Sequence, residues 1–139
     1  MKDRHNSHVI ERLRQAGLRP TRQRIALAQL LFGSGDRHIT AEMLHGEALD
    51  RSIKVSLATV YNTLHQFTEA GLLSEVVVDS TRSYFDTNVG EHHHFYSQDS
   101  GDLYDIPGDR IVVSELPTPP KGHKIARVDV IVRLDKGSA

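Results

Sequence analysis

His92, His93 and His94, followed by Phe95, are the residues of this chain most able to do chemistry. A strand alternates its side chains between faces, so an extended tripeptide would point His92 and His94 one way and His93 the other. It could then supply two ligands to one metal and a third imidazole to a separate site. Imidazole suits zinc, iron, copper and nickel, while carboxylates shift a site toward manganese and harder ions. Asp86 lies upstream and Asp105 downstream, so carboxylates are at hand. A histidine cluster exposed on a surface would account for the same tripeptide.

A second group of residues has hydrogen-bonding rather than metal chemistry. In Ser56-Leu57-Ala58-Thr59-Val60-Tyr61-Asn62-Thr63-Leu64 and onward to Gln66 and Phe67, helical spacing turns Val60, Leu64 and Phe67 toward a core. Thr59, Asn62, Thr63 and Gln66 are then expected to face outward. These short uncharged groups suit base edges, and the Tyr61 ring suits a thymine methyl. The helix start at Ser56 can meet a phosphate. Arg12, Arg14, Arg19, Arg22 and Arg24 form a basic run nearby. A solvated helix face and a phosphate-contacting patch are both open readings of that run.

The elements that must position these groups follow from period and punctuation. Val9, Ile10 and Leu13 predict a short first helix ending at Gly17. Thr21 can cap a second, with an apolar face of Ile25, Leu27, Ala28, Leu31 and Phe32 that stops at Gly33. Gly33 to Asp36 is a loop, and His38 is expected in the loop before a third helix capped by Thr40. Ser56 caps the fourth helix and Gly71 ends it. The pattern then becomes alternating. Leu73 to Val78 and Ser83 to Thr87 read as strands around the turn Asp79 to Arg82. Helices followed by such a ribbon are the order of a winged helix, whose second motif helix normally enters the major groove. Further strands are expected at His92 to Ser97, Leu103 to Ile106, Ile111 to Glu115 and Val128 to Leu134. The fold class is therefore α/β of the segregated α+β kind. A winged-helix domain is expected over residues 1–87 and a second, small and mostly strand domain over residues 88–139. The last alternating strand belongs to a module too small to hide both its faces, which points to a dimer.

Composition narrows the classes. The chain has 139 residues and a net charge of −1. Residues 1–75 carry 10 Lys/Arg against 8 Asp/Glu (+2), and residues 76–139 carry 7 against 10 (−3). There is no cysteine, which excludes disulfides, zinc-thiolate sites and thiol redox chemistry. No apolar run approaches the length of a membrane span. The polar stretch Met1 to Ser7 lacks a signal-peptide core. A cytoplasmic protein with no membrane association is expected.

The strings Gly17-Leu18-Arg19-Pro20-Thr21-Arg22-Gln23-Arg24, Ser56 to Leu64, Ala70-Gly71-Leu72-Leu73, Tyr84-Phe85-Asp86-Thr87-Asn88 and the triple histidine together resemble the ferric uptake regulator (Fur) family. Within it the chain looks most like the haem-linked iron response regulator (Irr) subgroup. The resemblance implies a haem- and metal-responsive transcriptional regulator of iron homeostasis that binds double-stranded operator DNA as a homodimer. It implies a divalent-metal site of His38, Asp86, His92, His94 and Asp105, taking manganese or iron with zinc as a competitor. Arg19 matches a residue that enters the minor groove, and Tyr61 one that touches bases. Asn62 stands where many members have arginine. Many members also bind a structural zinc through a Cys-x-x-Cys pair where this chain has Ser97-Gln98-Asp99-Ser100, so no such zinc is expected. Pro107 to Lys121 is short and proline-rich for the helix usual in the family there. Haem would be the effector, delivered by a haem-synthesis enzyme. Without cysteine its axial ligand would be histidine, with His93 first and His92 or His94 as competitors.

Readings from other classes are a metal-dependent hydrolase and a haem or metal buffer without DNA binding. The hydrolase would need an open metal position with a nearby base, and the chain carries no nucleophile motif. The arginine run and the Thr59 to Gln66 face speak against a buffer. The expectation is a regulator, not an enzyme.

Overall fold

The computed structural model describes residues 2–137, with side chains described from Ser7 onward. It falls into two compact units, one ending at Val89 and the other beginning at Gly90.

The first unit is ordered α1 (Lys2–Gln15), α2 (Arg22–Phe32), β1 (His38–Ile39), α3 (Ala41–Asp50), α4 (Leu57–Glu69), β2 (Ser74–Asp79) and β3 (Arg82–Asp86). Three helices start on a hydroxyl that accepts a backbone N–H otherwise left without a helical partner. Thr21 accepts from Arg24, Thr40 from Met43 and Ser56 from Thr59. Gly17 and Gly71 take φ near +80°, the left-handed conformation that ends α1 and α4. α1 starts several residues before its apolar stripe, so the stripe under-predicted its length.

Leu13, Leu27, Leu31, Leu44, Val60, Leu64 and Phe67 are buried to 0% exposure, joined by Ile39 from β1 and Phe85 from β3. Each such side chain contributes about 1.5–3 kcal/mol relative to exposure. Thr63 departs from expectation. It is buried, its hydroxyl donates to the Thr59 carbonyl at 2.8 Å, and it faces the interior rather than solvent. The apolar stripe of α4 is one residue wider than Val60, Leu64 and Phe67 alone imply, and threonine can enter it by satisfying its hydroxyl on its own helix.

The sheet of this unit is antiparallel, ordered β1-β3-β2. β1 corrects the expectation of a loop at His38. Two residues carry no readable period, and this strand exists only through its pairing with β3.

Ser52, next after the Arg51 cap of α3, has φ +59°, a conformation costly for any residue with a Cβ. Ser52→Gly should stabilise the unit by about 0.5–1 kcal/mol. A urea midpoint that stays the same or falls would contradict this.

The second unit contains β4 (His92–Ser97), β5 (Leu103–Pro107), a 3₁₀ turn (Gly108–Arg110) and β6 (Ile131–Leu134). β4 is central, antiparallel to β5 and parallel to β6. Two expectations change here. Ile111 to Glu115 is not a strand. It joins no strand among the described residues, and the run to Pro117, Pro119 and Pro120 removes backbone donors. The last strand begins at Ile131 rather than Val128, and the Val130 N–H just before it goes to the His93 side chain rather than to a backbone carbonyl. No α-helix occurs in this unit among the described residues.

Candidate metal centre and nucleic-acid interface

In the first unit the β1–β3 register sets His38 opposite Asp86. Directly opposed residues project to the same side of a sheet. The His38 Nε2 lies 3.4 Å from the Asp86 Oδ2. Asp86 is only 1% exposed, and its Oδ1 accepts the Asn88 N–H at 2.9 Å. A buried carboxylate needs such partners, since desolvation without them is costly. Arg37, which sequence reading passed over, pins the strand beside His38. Its N–H donates to Thr87 Oγ1 at 2.8 Å, and its carbonyl accepts the Thr87 N–H at 3.1 Å. Its guanidinium donates to the Leu30 carbonyl and forms a two-pronged pair with Glu47. That pair holds the Glu47 carboxyl below, and the Arg37 guanidinium above, its ordinary range.

In the second unit His92 and His94 share one face of β4, with ring centroids 4.6 Å apart. The β4–β5 register puts Asp105 opposite His94. Asp105 Oδ1 lies 3.3 Å from His92 Nε2 and 3.4 Å from His94 Nε2. Four bonds of about 2.1 Å to a tetrahedral metal would separate their donor atoms by about 3.4 Å. His92 Nδ1 approaches the Gly90 carbonyl at 2.6 Å. A carbonyl only accepts, so Nδ1 carries a proton, and Nε2, on the side of the Asp105 carboxylate, is the nitrogen that can ligate a metal. That arrangement suits a cation between them, and an outer hydrogen bond of this kind orients metal-ligating histidines.

His93 has the opposite arrangement. Its Nδ1 accepts the Val130 N–H at 3.1 Å, so the proton of the neutral ring sits on Nε2.

The α4 residues are also placed. Ser56 donates to the Thr59 Oγ1 at 2.9 Å, so these two hydroxyls form a small cap. Tyr61 and Asn62 are exposed, and the Tyr61 hydroxyl donates to Glu42 Oε1 at 2.6 Å. Gln66 accepts from Arg24 at 3.0 Å, and the same Arg24 guanidinium donates to the Arg19 carbonyl. Arg24 thus links the residues that follow α1 to the outer face of α4. Arg19 is exposed. Arg12 instead covers the Phe32 ring at 4.0 Å, so the basic run is not one uniform patch. Glu42 had no signal in the sequence that would single it out, because its partner Tyr61 is 19 residues away.

Among the described residues no helix is long and apolar enough to cross a membrane. The profile of the Ferric uptake regulator family matches residues 15–133. A ferric uptake regulation protein of Legionella pneumophila is 40% identical over 83 residues, covering 60% of this chain and 61% of that one. One of Cupriavidus metallidurans is 37% identical over 90 residues, covering 64% and 63%. The chain thus spans about three fifths of the length of these curated relatives. A ferric uptake regulator from Pseudomonas aeruginosa, solved with manganese, superposes with a TM-score of 0.71 at 27% identity, covering 92% of this chain and 97% of that one. A zinc-bound manganese uptake regulator shares the fold, with a TM-score of 0.62 at 22% identity over 90% and 96% of the two chains.

Proposed function

From the premise that this chain belongs to the ferric uptake regulator family, whose members are transcription regulators and not enzymes, we propose that it is a metal-responsive regulator of iron homeostasis that binds operator DNA as a homodimer. The observation that carries the reading is the donor chemistry within each unit. His38 with Asp86, and His92 with His94 and Asp105, present imidazole and carboxylate atoms at ligand-to-ligand spacing. A divalent ion bound by such donors would be the signal. It would favour the DNA-binding arrangement only through its differential affinity for that state. The mixed nitrogen and oxygen set suits manganese or ferrous iron, with zinc competing. The solved Pseudomonas aeruginosa relative contains manganese.

DNA reading is assigned to α4 and its surroundings. Ser56 meets the phosphate backbone at the helix start, Thr59, Tyr61, Asn62 and Gln66 face bases, and Arg19 reaches the minor groove. Pairing of subunits is assigned to the second unit's sheet. Phe95 stands opposite Tyr104 on β5 and Val132 on β6, and all three are exposed. Such a cross-strand apolar stripe matches the core of an interface.

The narrower reading is response to haem in the manner of the iron response regulator subgroup. The triple histidine supports it, and without cysteine the axial ligand would be histidine. His93 would coordinate through Nε2 only after its proton moved to Nδ1, which would break the bond from Val130. Haem binding at His93 would therefore disturb the start of β6.

The test is a binding titration on duplexes selected by the protein from a randomised pool. With manganese, affinity should exceed that in chelator by about tenfold or more, the usual scale of coupling between two sites. Equal affinity in both conditions would remove the metal-responsive reading, and no selection of any duplex would remove the DNA-binding one.

A further inference from the structure

The Tyr61 phenol is held by two contacts. Its hydroxyl donates to Glu42 Oε1 at 2.6 Å, and its ring lies against His65 one turn later, centroids 6.4 Å apart and planes 19° from parallel. Glu42 sits in the first turn of α3, where the helix dipole favours a negative charge. The bond holds Glu42 ionised and the phenol protonated, lowering the pKa of the first and raising that of the second. A tyrosine hydroxyl has one proton to give. With that proton directed at Glu42, Tyr61 has no donor left for a base or a phosphate oxygen. It can present only its ring, while the carboxylate beside it repels phosphate.

We propose that Glu42 is a positioning residue for DNA recognition, holding Tyr61 so that it reads bases by apolar ring contact and setting an acidic charge against indiscriminate phosphate binding. This rests on the assignment of α4 as the DNA-reading helix. A fixed ring enters the groove without a further loss of rotamer freedom, which is the gain from preorganisation. The carboxylate costs affinity for every duplex alike and cancels in the ratio of selected to scrambled binding, whereas the held ring acts on that ratio.

The experiment measures that ratio for the full chain with manganese, on a duplex selected by the wild-type protein and on its scrambled counterpart. Glu42→Ala should lower the ratio by about tenfold or more, from the low end of the range for loss of a hydrogen bond to a charged group upward. Its affinity for the scrambled duplex should hold or rise. Glu42→Gln keeps an acceptor and should retain most of the ratio. Tyr61→Phe should lower it as Glu42→Ala does, and the double variant should be no worse than either single one. Replacing thymines of the selected duplex by deoxyuridine removes the methyl groups, and should weaken the wild-type protein more than Glu42→Ala. An unchanged ratio in Glu42→Ala, no rescue by glutamine, or additive effects of the two changes would overturn the proposal while leaving DNA binding intact. A wild-type protein that selects no duplex would overturn both.

Discussion

His94→Ala is expected to lower manganese affinity by about a hundredfold or more, while His93→Ala leaves it within about twofold, since even an outer-shell change at a metal site costs ten- to a hundredfold. The difference follows from the faces of β4. His94 is buried beside His92 and directly opposite Asp105, with its Nε2 on the carboxylate. His93 points its Nδ1 at the Val130 N–H. Removing His94 also empties a buried position, so urea melts must accompany the titration. Asp105→Asn supplies the second arm, because it keeps the volume and removes the anionic ligand. His93→Ala should instead loosen the β4–β6 junction, and a haem titration of this variant tests the narrower proposal. An unchanged Soret spectrum relative to wild type would end the assignment of His93 as axial ligand. If His93→Ala loses manganese as fully as His94→Ala, one shared site for metal and haem becomes the better description.

Phe95→Asp should raise the dimer dissociation constant by about thirtyfold or more, the scale of losing a central apolar anchor at an interface. Phe95 is 37% exposed, and its cross-strand neighbours are Tyr104 at 50% and Val132 at 37%. In a dimer the change would be counted twice, once from each copy, since a two-fold interface repeats the same patch. The other face of β4 holds Tyr96, 3% exposed, paired with Leu103, 8% exposed. A charge at Phe95 therefore leaves that packed face alone. Sedimentation of the full chain at micromolar concentration measures the effect. A variant that stays as dimeric as wild type would move the interface to another surface.

Much of the first unit was legible in the residues themselves. Caps at Thr21, Thr40 and Ser56, glycine stops at Gly17 and Gly71, and the core face Val60, Leu64 and Phe67 are local features, and the structure places each where local physics puts it. The triple histidine was legible for the same reason. Strand alternation is a property of the backbone, so His92 and His94 share a face whatever surrounds them.

Three features lay beyond that reading because they depend on partners distant in sequence. β1 is two residues long and exists through β3, which is what brings His38 to Asp86. The Val130 N–H is taken by the His93 ring, which decides which nitrogen of His93 carries its proton. Glu42 meets Tyr61 across two helices. Sequence determined which chemical groups exist and which local elements carry them, since helix caps and strand faces are fixed within a few residues. Tertiary structure decided which of those groups meet and which way their donors and acceptors face. Hydrogen bonds act over about 3 Å, and only the folded chain brings residues separated by tens of positions within that reach.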